Sequence, residues 1–345
     1  MNKKVAVMIV NWDGLRLLQD CLSSLFTQTY DNFEVFFVDN GSIDKSIEFV
    51  ENNFSKVNII KLSTNLGFSG GNNEGFKKIL ENEDIEYVVL LNNDTKVEKE
   101  FLSNLVSIAE KDTNVGAVAP KMKNFYETNV IDSIGILINE DGSAIDRGAK
   151  EKDVGQYDLA EEIFGACGGA VLYKRKMLEE IKYNNEIFDN AFFAYYEDLD
   201  LAWRSRLLGW KAMSCPKSIV YHIHSATAKS HSPFKSFHVH RNRYFVMIKN
   251  FPLPILFKAL LLTPLRYFRL LKSVFIKKGV GHKLQKSSSF LTPFKVFAKA
   301  IFSLLRQLPA VIKKRKYIQK TKKVSNVEVR KWFKEFGISS KETIF

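Results

Sequence analysis

Three short polar stretches in this chain each follow directly on an apolar run: Asn11-Trp12-Asp13-Gly14, Asp39-Asn40-Gly41-Ser42 and Asn92-Asn93-Asp94. Carboxylates and amides in such places can hold a polar ligand, although Asn-Gly-Ser also suits a plain turn with a helix cap. Proton transfer is offered by Glu197-Asp198, which follows the aromatic run Phe192-Phe193-Ala194-Tyr195-Tyr196. Acids in a first helical turn also match the helix dipole, and Asp200 with Arg204 would make an i,i+4 pair. Those effects account for Glu197 and Asp200 and leave the doubled carboxylate unexplained. Gly165-Ala166-Cys167-Gly168-Gly169 is a small-residue stretch that would let a ligand approach the backbone. His222 and His224 alternate, so on a strand they share one face.

The elements that must position these residues are legible as alternation. Residues 5–10, 34–38, 57–62, 87–91 and 115–119 are apolar runs of strand length. Residues 15–26, 43–54, 70–80 and 101–110 carry helical spacing between them. This pattern predicts an α/β fold with a mostly parallel sheet and helices on both faces. In such sheets ligands bind beyond the carboxyl ends of the strands, where the three polar stretches fall. No Gly-x-Gly-x-x-Gly follows the first strand and no Walker lysine loop occurs, which disfavours dinucleotide and P-loop sites. Further on, residues 198–208 read as a helix ended by Gly209, and 218–224 as a short strand.

After Pro252 the character changes. Residues 255–276 and 294–312 are rich in Leu, Phe and Ile but are interrupted by bases, so neither offers the roughly 20 apolar residues of a spanning helix. Basic amphipathic helices lying in a membrane interface fit them better. The charge divides in the same place. Of the 51 Lys and Arg, 22 lie in 251–345 against 3 acids, which leaves 29 bases and 35 acids in 1–250. A uniformly basic nucleic-acid binder would not be divided this way, and no nucleic-acid partner is expected. The expected organisation is a domain over 1–250 and a helical tail over 251–345 that binds a membrane or a second subunit. Cys21, Cys167 and Cys215 are too few and scattered for a disulfide framework or a structural zinc site. The apolar run near the N-terminus is too short for a signal-peptide core and reads as a first strand, so a cytoplasmic location is expected.

The segments VNWDG, VDNGS, NLGFSGGNNEG, LLNNDT, GACGGAVLYKR, YYEDLDLAWRSRLLGW and YHIHSAT occur in this order. Together they resemble the family-2 glycosyltransferases of the GT-A fold, especially the bacterial rhamnosyltransferase-like branch, over roughly residues 1–250. The resemblance implies an inverting transferase using a nucleotide-diphosphate sugar and a divalent metal, Mn²⁺ or Mg²⁺. It makes Asp198 the general base, with Glu197 orienting it or touching the acceptor. Family members often carry Asp-x-Asp where this chain has Asn92-Asn93-Asp94. Asp94 is then the metal carboxylate, and a second ligand is needed from elsewhere. His222 stands at the family's spacing for it, with His224 as the alternative. Asp39 would read the nucleotide base, without separating UDP, dTDP and GDP donors. Asn11, Asn40, Ser42, Asn65, Gly67, Asn73 and Asn93 fall around the nucleotide by the same resemblance, and Gly168, Gly169 and Trp203 on the acceptor side.

The implied reaction moves a hexose or deoxyhexose to a lipid-linked or polymeric saccharide in envelope polysaccharide synthesis, at the inner face of the cell membrane. One rival is a sugar nucleotidyltransferase, which would carry a Gly-rich basic loop after the first strand; Asn11-Trp12-Asp13-Gly14 is not one. The other rival is a non-catalytic RNA-binding or membrane scaffold protein, against which the carboxylate pair and the confined positive charge both argue.

Overall fold

The apolar runs fold as a sheet because Val5, Val7 and Ile9 on one strand face, and Ala6 and Met8 on the other, are all buried, as a doubly covered strand requires. The computed structural model describes residues 3–223, 232–276, 292–339 and 342. The first part alternates β1 (Lys4–Asn11), α1 (Leu15–Leu25), β2 (Phe33–Asp39), α2 (Ser46–Asn53), β3 (Val57–Lys61), α3 (Gly67–Ile79) and β4 (Ile85–Leu91). β5 (Thr95–Val97), α4 (Phe101–Ala109) and β6 (Val115–Asn124) follow. Strands β1, β2, β3 and β4 pair in parallel in the order β4-β1-β2-β3. The chain leaves β1 toward β2 and returns on its other side as β4, so the direction of winding reverses between β1 and β4. In open sheets of this kind ligands bind at such a reversal, which here lies beside Asn11 and Asn92-Asn93-Asp94.

The remaining strands extend the sheet beyond β4. β7 (Ile131–Ser133) pairs with β6, and β8 (Ile136–Ile138) forms a separate ribbon with β9 (Ala144–Asp146). β10 (Glu162–Ile163) is an edge strand on β12 (Lys211–His222). β11 (Ala170–Lys174) runs antiparallel between β4 and β6, with Ala170 opposite Leu91. This reversed strand starts where β4 ends, so the Gly168-Gly169 backbone arrives beside Asn92, whose N–H donates to the Gly169 carbonyl at 2.8 Å.

β12 is longer than the 218–224 segment expected from sequence. It runs for twelve residues beside β6, with its register broken between Cys215 and Ile219. Pro216 lies in that break; proline cannot donate to a ladder and makes one strand read as two pieces. His224 lies outside the described residues. α5 (Arg175–Ile181) follows β11, and α6 (Glu197–Leu207) carries the acidic pair in its first turn. All three cysteines are free thiols, Cys21 and Cys215 fully buried.

The chain forms two compact units. One holds the described residues up to Ile136, with Asp146–Ser205 and the strand from Trp210 on. The other holds Leu137–Ile145, Arg206–Gly209 and the helices α7 (Pro233–Asn250), α8 (Leu253–Phe275), α9 (Thr292–Thr321) and α10 (Asn326–Glu335). The boundary thus falls before α7, not after it. The reason is visible at the end of α7, whose last carbonyls would otherwise lack donors. Arg315 donates to the Ile248 and Phe251 carbonyls at 2.6 and 2.7 Å, and Gln319 donates to those of Lys249 and Asn250. Among the described residues no helix is long and apolar enough to cross a membrane.

Candidate active site

The carboxyl ends of β1 and β2 carry the first cluster. Asp39 is 1 % exposed, and its Oδ2 accepts the Ser42 N–H at 3.1 Å. Its Oδ1 is buried with no hydrogen-bond partner among the described residues, a costly arrangement unless a ligand supplies a donor. Asn11 donates to Ser42 Oγ at 3.2 Å and accepts from Asn93 Nδ2 at 2.7 Å, bridging the β1, β2 and β4 ends. Gly14 is what makes room for this bridge. A Cβ there would stand 2.3 Å from both Asn11 Oδ1 and Asn93 Nδ2.

Asn40 and Asn65 face each other at 3.2 Å and are otherwise occupied by the loop entering α3. Asn40 donates to the Gly67 carbonyl and accepts from Leu66 N–H, and Asn65 accepts from Gly67 N–H. Gly67 itself sits at φ +74, and a Cβ there would lie 2.5 Å from the Phe193 carbonyl oxygen. Asn73 uses all four of its hydrogen-bonding positions internally. It donates to the Phe188 carbonyl and Asn190 Oδ1 and accepts from the Ile187 and Phe188 N–H groups. Its place is therefore to fasten the 187–190 segment to α3, with no polar group left for a nucleotide.

At the end of β4 stand the residues expected to meet a metal. Strand register decides this, because β12 pairs His222 with Thr95 of β5. His222 Nε2 lies 3.2 Å from Asp94 Oδ1, and both side chains are buried. On the other side of the ring, Nδ1 lies 2.6 Å from Asp132 Oδ2. Burial by itself would depress the imidazole. The hydrogen bonds to Asp132 and Asp94, together with their charges, outweigh it and raise His222 from 6.5 to about 10. A carboxylate and an imidazole, the latter steadied by a second carboxylate, fit a hard divalent cation. Among the described residues no group of three or more His, Cys, Asp or Glu is arranged to hold an ion unaided. Further oxygens would have to come from a ligand.

The third cluster opens α6. Asp198 is half-buried; its Oδ2 accepts the Gly168 N–H at 3.0 Å and its Oδ1 its neighbour Leu199 N–H at 2.7 Å. Burial raises its carboxyl above the ordinary range, and the two N–H groups partly oppose that. Glu197 is pushed well up, first by burial and then by the charge of Asp198, and its buried Oε2 has no hydrogen-bond partner among the described residues. Of the two, Asp198 has the hydrogen bonds that favour an anion, while burial and the neighbouring charge bias Glu197 toward its protonated form. The segment leading in is strained, with Phe193, Tyr195 and Tyr196 at φ of 65, 68 and 72. Bulky side chains avoid this left-handed region, and such outliers persist where surrounding structure imposes them.

The structure brings Asp39, Asn11, Ser42 and Asn93 together, joins Asp94 to His222, and sets Gly168 against Asp198. Gly169 is held to Asn92 through its carbonyl. Trp203 is a correction. It is 1 % exposed and packs edge-on to Phe164 with ring centroids 4.9 Å apart, so it is core and presents no face to an acceptor. Residues 199–207 of α6 are all buried, so no side of this helix turn is left open to a ligand.

Two carboxylates at this site escape a reading of the sequence. Asp132 holds His222, and Asp146 is raised to about 6 by burial and by the charges of Asp132 and Asp198. Neither lies in a motif. Asp132 stands between Ile131 and Ser133 in β7, and Asp146 ends β9 just before Arg147, so no local pattern marks either acid.

Residues 6–182 match the model of glycosyl transferase family 2. The chain belongs to that family. Among curated relatives, it is 27 % identical over 205 residues to the low-salt glycan biosynthesis hexosyltransferase Agl10 of Haloferax volcanii, covering 59 % of this chain and 61 % of the relative. It is 27 % identical over 223 residues to the amylovoran biosynthesis glycosyltransferase AmsB of Erwinia amylovora, covering 61 % and 66 %. This chain thus spans less than two thirds of each relative's length. The fold is that of solved GT-A glycosyltransferases. TarS residues 1–349 of S. aureus superimpose with a TM-score of 0.54 at 17 % identity, covering 95 % of this chain and 91 % of that one. The mannosyltransferase PcManGT from Pyrobaculum calidifontis, solved with GDP-Man and Mn²⁺, superimposes with a TM-score of 0.53 at 16 % identity, covering 94 % and 87 %. The chain thus joins a GT-A unit of glycosyl transferase family 2 to a helical unit.

Proposed function

We propose that this glycosyltransferase inverts the anomeric centre of a nucleotide-diphosphate sugar as it transfers a hexose or deoxyhexose to a lipid-linked or polymeric saccharide in envelope polysaccharide synthesis. The rhamnosyltransferase-like pattern of its motifs supports the deoxyhexose option. The observation that carries the reading is the buried, partnerless Oδ1 of Asp39 at the carboxyl ends of β1 and β2. An N–H on the base edge of a uracil, thymine or guanine nucleotide would satisfy it. Asp198 accepts the proton of the attacking hydroxyl as that oxygen bonds to the anomeric carbon and the nucleotide diphosphate departs. Glu197, biased toward its protonated form by burial and by Asp198, would keep a second negative charge away from the incoming hydroxyl. A divalent cation, when bound, supplies charge stabilisation to the departing diphosphate, and Asp94 and His222 would hold it. We place the enzyme in the cytoplasm, at the inner face of the membrane.

The test is donor screening by product mass with UDP-, dTDP- and GDP-sugars, with and without EDTA. Transfer from one donor class, abolished by EDTA and restored by Mn²⁺ or Mg²⁺, is expected. Full transfer in EDTA would remove the metal from this reading. Formation of a new nucleotide sugar in place of a glycoside would make the protein a nucleotidyltransferase.

A further inference from the structure

Helix α8 turns its apolar side outward. Leu253, Phe257, Leu261 and Phe268 recur at helical spacing and are 69, 66, 65 and 64 % exposed. On the opposite side Ile255, Ala259 and Arg266 are buried, the last paired with buried Asp141 at 3.1 Å. A surface helix ordinarily does the reverse, and a row of large exposed apolar side chains marks an interaction surface. Helix α9 meets α8 through Tyr267 and Phe297, whose ring centroids are 4.3 Å apart. It too exposes apolar residues, Phe302 and Leu305, beside the exposed bases Lys299, Arg306, Lys313 and Lys316. Together α8 and α9 contain twelve Lys and Arg and no Asp or Glu.

We propose that this face of the helical unit docks on an anionic lipid surface, with α8 lying along the interface and its Phe and Leu side chains among the acyl chains. Three observations select this occupant. Neither helix is long and apolar enough to cross a bilayer, so insertion along the plane is what the apolar row permits. Bases beside an apolar row are the pair of signals that stable interfacial attachment requires. A second copy of the chain is disfavoured by charge, because an isologous contact would set these base-rich, acid-free helices against themselves. The inference gives the transferase reading its membrane location, yet it rests on the helical unit alone and involves no active-site residue.

Flotation of the full chain with phosphatidylcholine vesicles, with and without phosphatidylglycerol, tests it without reading turnover. Failure here therefore leaves the transferase reading standing. The wild-type chain should float with the anionic vesicles in low salt, stay behind with the zwitterionic ones, and be released by high salt. The combined substitution Phe257→Ser, Leu261→Ser and Phe268→Ser should weaken vesicle affinity by about a hundred-fold or more. Its circular dichroism and melting should stay close to the wild type, because these side chains are 64 to 66 % exposed and lie outside the core. Lys313→Glu with Lys316→Glu, a milder variant, should lower affinity for anionic vesicles only. Equal flotation with both lipids, or none with either, overturns the proposal. So does a dimer in solution that the triple variant dissociates while vesicles are ignored, which would make the face a contact between copies.

Discussion

His222 Nδ1 lies 2.6 Å from Asp132 Oδ2, which fixes the ring so that its other nitrogen points at Asp94. A ligand imidazole oriented by a carboxylate binds a cation with less rearrangement and greater basicity. Asp132→Asn should therefore weaken Mn²⁺-dependent nucleotide binding by about ten- to a hundred-fold, and Asp132→Ala by more. Titration of Mn²⁺ at fixed nucleotide reads this directly. Unchanged Mn²⁺ affinity in both variants would show that the Asp132–His222 contact does not serve metal binding.

In the metal-free protein the same trio gives a pH signature. The folded-state value of His222, about 10, stands above its unfolded value of 6.5. Its contribution to stability is thus fully present below about pH 6.5 and is lost as pH rises toward 10. Melting temperatures in EDTA should fall across that window more steeply for wild type than for His222→Gln. Parallel slopes would mean that the imidazole is not charged between the two carboxylates.

Asp198→Asn should lower turnover by about 10²–10⁴ while nucleotide binding survives, because the base acts on the acceptor and not on the donor. Burial raises the Asp198 carboxyl, so activity should be lost with falling pH at a point above the ordinary aspartate value of about 3.9. Retention of more than about a tenth of wild-type turnover would exclude Asp198 as the base.

Asp39→Ala removes the carboxylate whose Oδ1 has no internal partner. Hydrogen bonds to charged groups contribute about 1.5–3 kcal/mol, so nucleotide affinity should fall about ten- to a hundred-fold. Calorimetry with UDP, dTDP and GDP measures it. Equal affinity for all three in variant and wild type would place the base elsewhere.

Gly67→Ala tests the strained approach to the acidic pair. The substitution meets both an unfavourable φ of +74 and the Phe193 carbonyl. It should destabilise the protein by roughly 1–3 kcal/mol, with a matching loss in melting temperature, and should lower turnover by displacing the segment before Glu197. Wild-type stability and turnover together would show that the Gly67–Phe193 contact constrains nothing.

What this sequence determined by itself is local in origin. Apolar runs of strand length and Leu spacings of helical length depend only on neighbours along the chain. β1 to β4 and their helices were therefore legible, as were the polar stretches at the strand ends. Asp39 and Asp94 lie in such stretches, and the Glu197-Asp198 pair opens a helix that was legible as well. Even so, α3 begins at Gly67, three residues earlier than its spacing implied, where the distant Phe193 carbonyl accepts the first-turn Ser69 N–H at 3.1 Å. Tertiary structure alone decided which distant residues meet. Asp132 reaches His222 because β7 pairs with β6 and β12 lies beside it, a matter of register between segments 90 residues apart. Gly168 reaches Asp198 because β11 runs backward between two strands. The same holds where readings failed: Trp203 turned inward, and Asn73 spent its amide on a neighbouring loop. The α8 sequence likewise predicted an amphipathic helix without saying which side would be covered. The sheltering of Arg266 beside Asp141 settled that, because a buried guanidinium needs a carboxylate and a Phe left outside costs far less than a charge left unpaired within.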